Sequence, residues 1–439
     1  MKSGLKSRTK RWLRRLVNAV YCLAILLSMA TVSAVAQQAP LNFEAPPISY
    51  SDPETDDSLS RLQAEIDSGE MELEFSETSG YLKSVLERLN ISDSSQMLNF
   101  LKSSLQRPLI SPENPRAIYF NDDAYVGYVP GGFIELIVPD AKKGMMFYSL
   151  QQDKQKPEFT REVSRCMTCH SSSRTKNIPG LQVRSMFTDP SGQPVLSAGS
   201  FRTSHSSPLE ERWGGWYVTG QHGESVHRGN FQLPNKKRPK KPIDNTAGQN
   251  LTDLSERFEV SNYQTAHSDI VALMVFEHQI DSHNLMVRAN YAFQSDFHKN
   301  QQDTGEATWK NEADELAMHL LFTDELQLDS PIQGTSSFQQ DFQSLGPFDD
   351  QQRSLRQFDL KTRLFKFPCS YMVYSKTFED LPSQVRDYVL GQIRRKLSEF
   401  TDATSATSPG KNPTEPPAGL YSAEEIAVAQ AAIDRQFQQ

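Results

Sequence analysis

Residues 115–150 read PRAIYFNDDAYVGYVPGGFIELIVPDAKKGMMFYSL and alternate between short apolar runs and turn-forming residues. The turns carry Asn-Asp-Asp, Pro-Gly-Gly and Lys-Lys-Gly, and Gly, Pro, Asn and Asp are the residues that tight turns favour. Runs of this length, rich in aromatic and β-branched residues, are typical of strands. The stretch therefore predicts a β-rich core, with strands at 117–120, 125–129, 133–138 and 145–150.

Helical patterns lie on both sides of this stretch. Apolar residues recur at three and four residue intervals between 59 and 107. Residues 261–293 form the longest helical candidate and are apolar nearly all round, as expected of a buried helix. Pro382 begins another helix, and Ser422 to Glu425 forms a capping box. Together these patterns predict an α+β fold with a β-rich core, flanking helices, polar insertions and disordered termini.

Composition shifts divide the chain into segments. In chain order we predict a signal peptide (1–36), a disordered tether (37–58), a helical segment (59–107), the core (108–299), a polar Gln/Asp-rich insertion (300–357), the C-terminal part of the core (358–400), and a tether with a terminal helix (401–439).

The first 36 residues have the composition of an export signal. They contain seven basic residues and no acidic one, followed by an apolar run over 16–32 and the small-residue sequence Ser33-Ala34-Val35-Ala36. Cleavage before Gln37 predicts a periplasmic or otherwise exported protein. The alternative is an uncleaved membrane anchor, because the apolar run reaches the roughly 17 residues that a spanning helix needs.

Charge and cysteine content narrow the function classes. The 439-residue chain has a formal net charge of −8, which becomes −15 once the seven basic residues of the signal are removed. Such an acidic protein repels nucleic acid overall, so we expect no nucleic-acid partner. The mature chain would keep three cysteines, Cys166, Cys169 and Cys369, which cannot all pair with each other. A disulfide-stapled scaffold is thereby excluded.

Cys166-Met167-Thr168-Cys169-His170 matches the C-x-x-C-H signal of covalent c-type haem attachment. Residues three apart lie on one side of a helical turn, so both sulfurs can reach the two vinyl groups of one porphyrin edge. The next residue, His170, can then bind the iron as an axial ligand. The single motif predicts one covalent haem c in the core segment.

Three other interpretations of the cysteines remain open. A thioredoxin-type redox pair would need a βαβ unit around Cys166, and the sequence shows none. A structural zinc site could combine Cys166, Cys169, His170 and Cys369, although a second C-x-x-C is missing. A plain disulfide between Cys166 and Cys169 would leave His170 without a role.

The C-x-x-C-H motif is common to cytochromes c, and the wider chain resembles a group of exported bacterial monohaem proteins that contain a cytochrome c domain. The resemblance covers roughly residues 110–400 without the polar insertions. The segments that carry it are 115–128, 166–170, 212–220 and 381–397. It implies haem binding and electron transfer and names no substrate. Small soluble cytochromes c are all-helical and far shorter, so their fold is not implied.

A sixth iron ligand is expected on the other side of the haem if the protein is an electron carrier. Three histidines lie in or near the Gly-rich stretch 213–230, where the backbone can approach a flat cofactor closely: His205, His222 and His227. We predict His222 as the first choice for the distal ligand. Loop histidines hydrogen-bonded to the backbone are the structural alternative.

Other residues are weaker candidates for the distal side. They are Met186 and the histidines near or on the long helix, His267, His278 and His283. Arg212 or Arg228 could pair with a haem propionate.

The predicted function is electron transfer through covalent haem, with a redox protein of the cell envelope as the partner. An alternative is a haem-dependent, peroxidase-like oxidoreductase with an open distal site. A third possibility is a zinc-stabilised binding protein without redox function. Membrane association would follow only from an uncleaved signal.

Overall fold

Six antiparallel strands form a meander in which neighbours along the chain are also neighbours in the sheet. The computed structural model describes residues 42–154, 156–235, 243–299, 308–405 and 420–437. The strands are β1 (Met97–Asn99), β2 (Arg116–Phe120), β3 (Tyr125–Tyr128), β4 (Ile134–Asp140), β5 (Gly144–Leu150) and β6 (Phe159–Arg161). The four strands predicted from residues 115–150 are β2 to β5.

The turn between β2 and β3 shows why short polar residues are needed there. The Asn121 side-chain oxygen accepts hydrogen bonds from the backbone N–H groups of Asp123 (3.1 Å) and Ala124 (2.8 Å). These Asx-type bonds add to the backbone hydrogen bond from the N–H of Asn121 to the carbonyl of Ala124 (3.1 Å), and together they close the turn. Asp122 pairs with Arg356, and the carboxylate of Asp123 accepts from the backbone N–H of Thr377 (2.9 Å). The turn thereby ties the sheet to the C-terminal part of the chain.

Helices surround the sheet, which confirms the α+β fold class. They are α1 (Ser58–Ser68), α2 (Leu82–Arg88), α3 (Ser164–His170), α4 (Ile270–Lys299), α5 (Trp309–Leu320), α6 (Phe338–Ser344), α7 (Lys376–Glu379), α8 (Ser383–Ser405) and α9 (Ala423–Gln436). A two-stranded ribbon of β7 (Val183–Met186) and β8 (Ser200–Thr203) follows α3. No helix in these ranges is both long and apolar enough to cross a membrane.

Helix α4 lies at the centre of the core. Every residue from Ile270 to Phe276 is buried, as its uniformly apolar sequence predicts. Asp269 caps its N-terminus, since one carboxylate oxygen accepts from the N–H of Val271 at 2.8 Å. α4 packs against α5, α5 packs against α8, and α8 packs against α9. The predicted capping box of α9 is present at Ser422 and Glu425.

The helical segment predicted over 59–107 is only partly correct. α1 and α2 are helices, but Met97–Asn99 is strand β1, which pairs with Arg116–Ile118 of β2. Met97, Leu98 and Leu101 are all buried. Both faces of this segment are covered by protein, so its apolar residues do not alternate with polar ones as in a half-exposed strand. The spacing of the apolar residues therefore matched a helical stripe by chance.

The disordered tether predicted over 37–58 is wrong for residues 42–58. Ile48 and Tyr50 are each only 1% exposed, and the Tyr50 hydroxyl donates to the carbonyl of Met145 at 2.8 Å. The ammonium group of Lys143 donates to the carbonyls of Asp52 (2.5 Å) and Glu54 (2.6 Å). Two large apolar residues are too few to give a pattern, yet they are enough to anchor a short segment on the sheet.

We expect Tyr50→Ala to lower the free energy of unfolding by about 3 kcal/mol, because it removes a buried aromatic ring. Urea unfolding followed by fluorescence would measure the change. Leu196→Ala is the control, since Leu196 is 64% exposed and should shift stability by less than about 0.5 kcal/mol. Equal stability of the Tyr50 variant and the parent would restore the tether interpretation.

The polar insertion predicted over 300–357 is wrong for residues 308–357. Ala313, Leu316 and Leu320 of α5 are fully buried against the core. All described residues belong to one structural unit. A helical island over 311–321 can be recognised within this segment and corresponds to α5, but the surrounding Gln- and Asp-rich composition indicated a partly ordered insertion instead of a part of the core. Several predicted segments lie outside the described residues: the signal peptide 1–36, residues 37–41 of the first tether, residues 300–307 of the insertion and residues 406–419 of the second tether.

Candidate haem-attachment site

The C-x-x-C-H motif forms the short helix α3, directly after the last strand of the meander. Cys166 and Cys169 lie one helical turn apart, Cys166 partly buried and Cys169 exposed. Both are free thiols, so the structure does not contain the disulfide considered as an alternative. The two sulfurs are therefore available on one side of a helix that reaches the surface.

His170 presents a nitrogen that is free to bind a metal. Its Nδ1 lies 2.8 Å from the carbonyl oxygen of Gly180. A carbonyl can only accept, so Nδ1 carries the proton and Nε2 keeps its lone pair. Burial lowers the pKa of His170 to about 4, and the ring is neutral at pH 7. Axial histidines in metal sites are held in this way by a hydrogen bond on the opposite nitrogen.

The loop after α3 is held in place by the central helix. The Asn284 side-chain oxygen accepts from the N–H of Leu181 at 2.9 Å, and its amide donates to the Leu181 carbonyl at 2.8 Å. A Cβ at position 180 would lie 2.4 Å from this Asn284 oxygen, so only glycine fits. The Thr175 hydroxyl ties the loop to the His170 carbonyl at 3.2 Å. α4 therefore fixes the carbonyl that orients His170.

The surroundings of the thiols determine their reactivity. Burial, followed by the nearby carboxylates of Glu162 and Glu135, raises the pKa of Cys166 to about 12. Cys166 is consequently a protonated thiol at neutral pH and a weak nucleophile. Burial and the nearby Arg174 lower the pKa of Arg184, whose charge also interacts with Cys169. Arg165 and Arg116 also act electrostatically on Cys166 and His170, but they form ion pairs with Glu162 and Glu135.

The two arginines predicted to pair with a propionate are engaged elsewhere. Arg212 forms a buried ion pair with Glu277 at 2.9 Å. The guanidinium of Arg228 lies 3.9 Å from the ring centroid of Phe187, with a hydrogen bond to the Ala198 carbonyl. Arg184, which sequence analysis missed, replaces them as the candidate, because nothing in a sequence indicates that β7 passes beside α3.

His222 does not fit the predicted role of distal ligand. Its Nδ1 donates to the carbonyl of Ser225 at 2.8 Å, and its Nε2 accepts from the N–H of Asn250 at 3.1 Å. Both nitrogens are thus committed to the backbone, and iron could bind only after one bond breaks. This is the loop-histidine alternative considered from the sequence.

His227 lies against His222, with ring centroids 4.8 Å apart, and against Trp213. Its Nδ1 accepts from the N–H of Gly229 at 3.0 Å, and burial lowers its pKa to about 3. Nε2 is buried without a hydrogen-bond partner. In the described part of the chain, neither His222 nor His227 has a hydrogen bond or ring contact to α3. The structure supports a structural role for both.

His205 belongs to a different cluster, together with His278 of α4 and His319 of α5. One nitrogen from each ring lies within 4.8 Å of the others, and all three side chains are buried. His319 was missed because it lies in the segment predicted to be an insertion. His205 and His278 have both nitrogens hydrogen-bonded, which removes them from the candidate iron ligands.

The trio does not have the geometry of a metal site. The three ring planes are nearly parallel, with interplanar angles of 18°, 24° and 8°. A metal must lie in the plane of each imidazole that binds it, because the lone pair lies in that plane. The His205 and His319 rings have centroids only 4.3 Å apart, too close to be coplanar, so they stack. A single ion therefore cannot lie in the planes of all three rings at bonding distance.

The structure does not assemble the zinc site considered from the sequence. Among the described residues, the His trio is the only group of three or more metal-ligating side chains at coordinating separation. Cys369 is buried, with its sulfur 3.9 Å from the carbonyl of Ser370. It is therefore not joined to Cys166, Cys169 and His170.

The remaining distal candidates occupy different places. Met186 is 1% exposed on β7, where its backbone meets Gly214. His267 precedes α4, and its Nδ1 is buried without a partner. His283 contacts the hydroxyl of Tyr125 at 2.7 Å and that of Thr377 at 3.3 Å. Both nitrogens of His283 are thus used. His267 Nδ1, like His227 Nε2, has no hydrogen-bond partner, and Met186 remains a candidate through its sulfur.

Directly after its apolar start, α4 carries a belt of buried polar residues that sequence analysis did not foresee. Each has a partner from another element: Glu277 with Arg212, His278 with His205 and Ser370, Gln279 with Tyr371, Asp281 with Arg202, Ser282 with His319, His283 with Tyr125, and Asn284 with Leu181. A buried polar side chain without a partner would cost about 1–3 kcal/mol, which explains why each of these side chains has at least one partner. One oxygen of Glu277, Oε1, is nevertheless buried without a hydrogen bond. The belt connects α3 to the rest of the core.

Comparisons of the chain with protein-family models, with curated proteins and with solved structures find no match.

Proposed function

We propose that this chain is an exported, monohaem c-type cytochrome-like protein that transfers electrons to and from a redox protein of the cell envelope. The observation that carries the proposal is His170. Its Nδ1 is bonded to the Gly180 carbonyl, and its Nε2 is left free beside two unpaired thiols on the same helix. These donors fit a covalently attached haem.

Each residue of the site has a separate task. Cys166 and Cys169 would hold the haem through thioether bonds, and His170 would bind its iron through Nε2. Asn284 and Gly180 orient the imidazole, and Arg184 offers a positive charge for a propionate. The haem itself would supply a reversible one-electron couple.

The position of α3 favours electron transfer between proteins. Thr168 and Cys169 are exposed, so the attachment helix reaches the surface where a partner can approach. Loops and surface elements held by a rigid scaffold commonly carry function. The scaffold here is β5 and β6 on one side and α4 on the other, with Phe147 of β5 packed 4.7 Å from the His170 ring centroid.

The test is to produce the protein in the periplasm of a host that has cytochrome c maturation. We expect an intact mass that exceeds the polypeptide by one haem, and a Soret band that acid–acetone does not extract. A low-spin spectrum would support the electron carrier, whereas a high-spin spectrum that changes with cyanide would favour the oxidoreductase. Stoichiometric zinc without a Soret band would contradict haem attachment.

A further inference from the structure

Four side chains form a continuous hydrogen-bonded row through the core, which we call the histidine relay. It runs from Asp324 to His205 Nε2 (2.9 Å), from His205 Nδ1 to His278 Nδ1 (2.8 Å), and from His278 Nε2 to the Ser370 hydroxyl (2.7 Å). The Asp324 side chain is 60% exposed and that of His205 is 3% exposed. His278 and Ser370 are completely buried. The relay therefore connects solvent with the interior.

The hydrogen atoms in the neutral relay have only one arrangement. A carboxylate only accepts, so His205 carries its proton on Nε2 and has a lone pair on Nδ1. His278 must then carry its proton on Nδ1, and its Nε2 must accept from Ser370. The Ser370 oxygen accepts a hydrogen bond from the N–H of Met372 at 3.1 Å, which leaves the hydroxyl proton available for His278. Every hydrogen bond points toward Asp324.

The relay can hold one additional proton without losing a histidine hydrogen bond. His205 would become an imidazolium that donates to Asp324 and to His278 Nδ1. His278 would move its own proton to Nε2 and donate to the Ser370 oxygen. Burial acts to raise the pKa of Asp324, but the hydrogen bond and charge of His205 outweigh it and lower that pKa to about 2. Asp324 therefore remains a carboxylate that can balance the imidazolium charge.

Charged and titratable groups face the relay from every element packed around it. They are Lys176 from the loop after α3, Arg212 from the loop after β8, Glu277 and Asp281 from α4, His319 from α5, Glu325 next to Asp324, and Cys369 and Tyr371 next to Ser370. Glu277 is paired with Arg212, and Asp281 is paired with Arg202. These two ion pairs lie outside the hydrogen-bonded row. Within the row, His205 and His278 are the groups to which a proton can pass from Asp324.

The relay and the haem-attachment site share α4. His278 lies six residues, about 9 Å along the helix axis, from Asn284, which holds the loop that orients His170. Lys176, in that loop, pairs with Glu315 and acts electrostatically on His319. Charges at such separations in a protein interior interact measurably, because screening by water is weak there.

We propose that the histidine relay takes up one proton from water through Asp324 when a redox partner protein donates one electron to a haem held by α3, and releases that proton when the haem gives the electron up again. The proton and the electron bring opposite charges, so the net charge of the interior is unchanged. This proposal rests on the proposed function and adds to it a coupling of electron transfer to proton uptake.

The first test is the midpoint potential of the haem-loaded protein measured between pH 5 and 8. The potential should fall with rising pH, toward the limit of about 59 mV per pH unit for one proton per electron. Asp324→Asn and His205→Gln should reduce this slope at least twofold. His283→Gln is the matched control, since His283 is also buried on α4 but lies outside the relay. A parent slope that neither relay variant changes would overturn the proposal.

The second test does not depend on haem. Nitrogen NMR of the protein as isolated, labelled at histidine, should show the proton of His205 on Nε2 and that of His278 on Nδ1. Asp324→Asn should alter the His205 signals and leave those of His283 unchanged. The reverse tautomers in the parent would overturn the relay. A protein without haem but with the expected tautomers would contradict the proposed function and the redox coupling, while leaving the hydrogen-bond order established.

Discussion

Replacing both Cys166 and Cys169 by Ala should remove all haem that resists acid–acetone extraction. The two thioether bonds are the only covalent links that the motif offers, and α3 has only seven residues to hold a cofactor otherwise. Each single variant should retain one thioether bond. We expect it to give a lower yield of haem-protein, from which the haem is lost more easily. Intact mass and the Soret absorbance per polypeptide measure the loss.

Cys369→Ala is the matched control for this experiment. Cys369 is a free, completely buried thiol, apart from the motif, and its loss should leave haem content at the parent level. His170→Ala should act differently from the cysteine variants, because the thioethers can still form while the axial nitrogen is absent. A double cysteine variant that keeps acid-resistant haem would show that attachment occurs elsewhere.

Acid should destabilise the fold steeply below about pH 6.5. Burial lowers the pKa of His170 to about 4 and those of His227 and His283 to about 3, and it holds those of His278 and His319 well below the ordinary value. These groups are neutral in the folded protein but gain protons near pH 6.5 when unfolded. The unfolded state therefore binds more protons, and stability falls as pH drops from about 6.5 toward 3–4. At pH 5.5 each buried histidine would cost about 1.4 kcal/mol.

Three buried carboxyls act in the opposite direction. Burial raises the pKa of Glu325 to about 7, and it also raises those of Glu277 and Asp281. Their folded forms bind protons more readily than their unfolded forms, so they add stability as pH falls. Five histidines outnumber them, and each histidine costs about 1 kcal/mol between pH 6.5 and 5.5, so we expect a net loss of stability over this interval.

Urea unfolding at pH 7.5, 6.5 and 5.5 would measure the acid effect. The midpoint should fall with each step, and His283→Asn should reduce the pH dependence by close to one proton. His298→Asn should not change it, because His298 is exposed near the end of α4. A midpoint that is constant from pH 7.5 to 5.5 would contradict the buried neutral histidines.

Several features of this protein could be recognised from local sequence alone. Strands β2 to β5 follow from apolar runs separated by turn residues, and α4 follows from a long apolar helical segment. The capping box of α9 needs only Ser422 and Glu425. The attachment motif lies within five consecutive residues. Each of these features, whether a tight turn, a helix cap or a single turn of helix, is formed by residues that are close together in the chain.

Other features depend on contacts between distant segments. Asn284 meets Leu181 across 103 positions, Tyr50 meets Met145 across 95, and His205 meets Asp324 across 119. Periodicity shows which face of an element is buried but not which element covers it. The orientation of His170, the order in residues 42–58 and the histidine relay are therefore decided by tertiary packing, because buried polar groups must find their partners wherever the folded chain brings them.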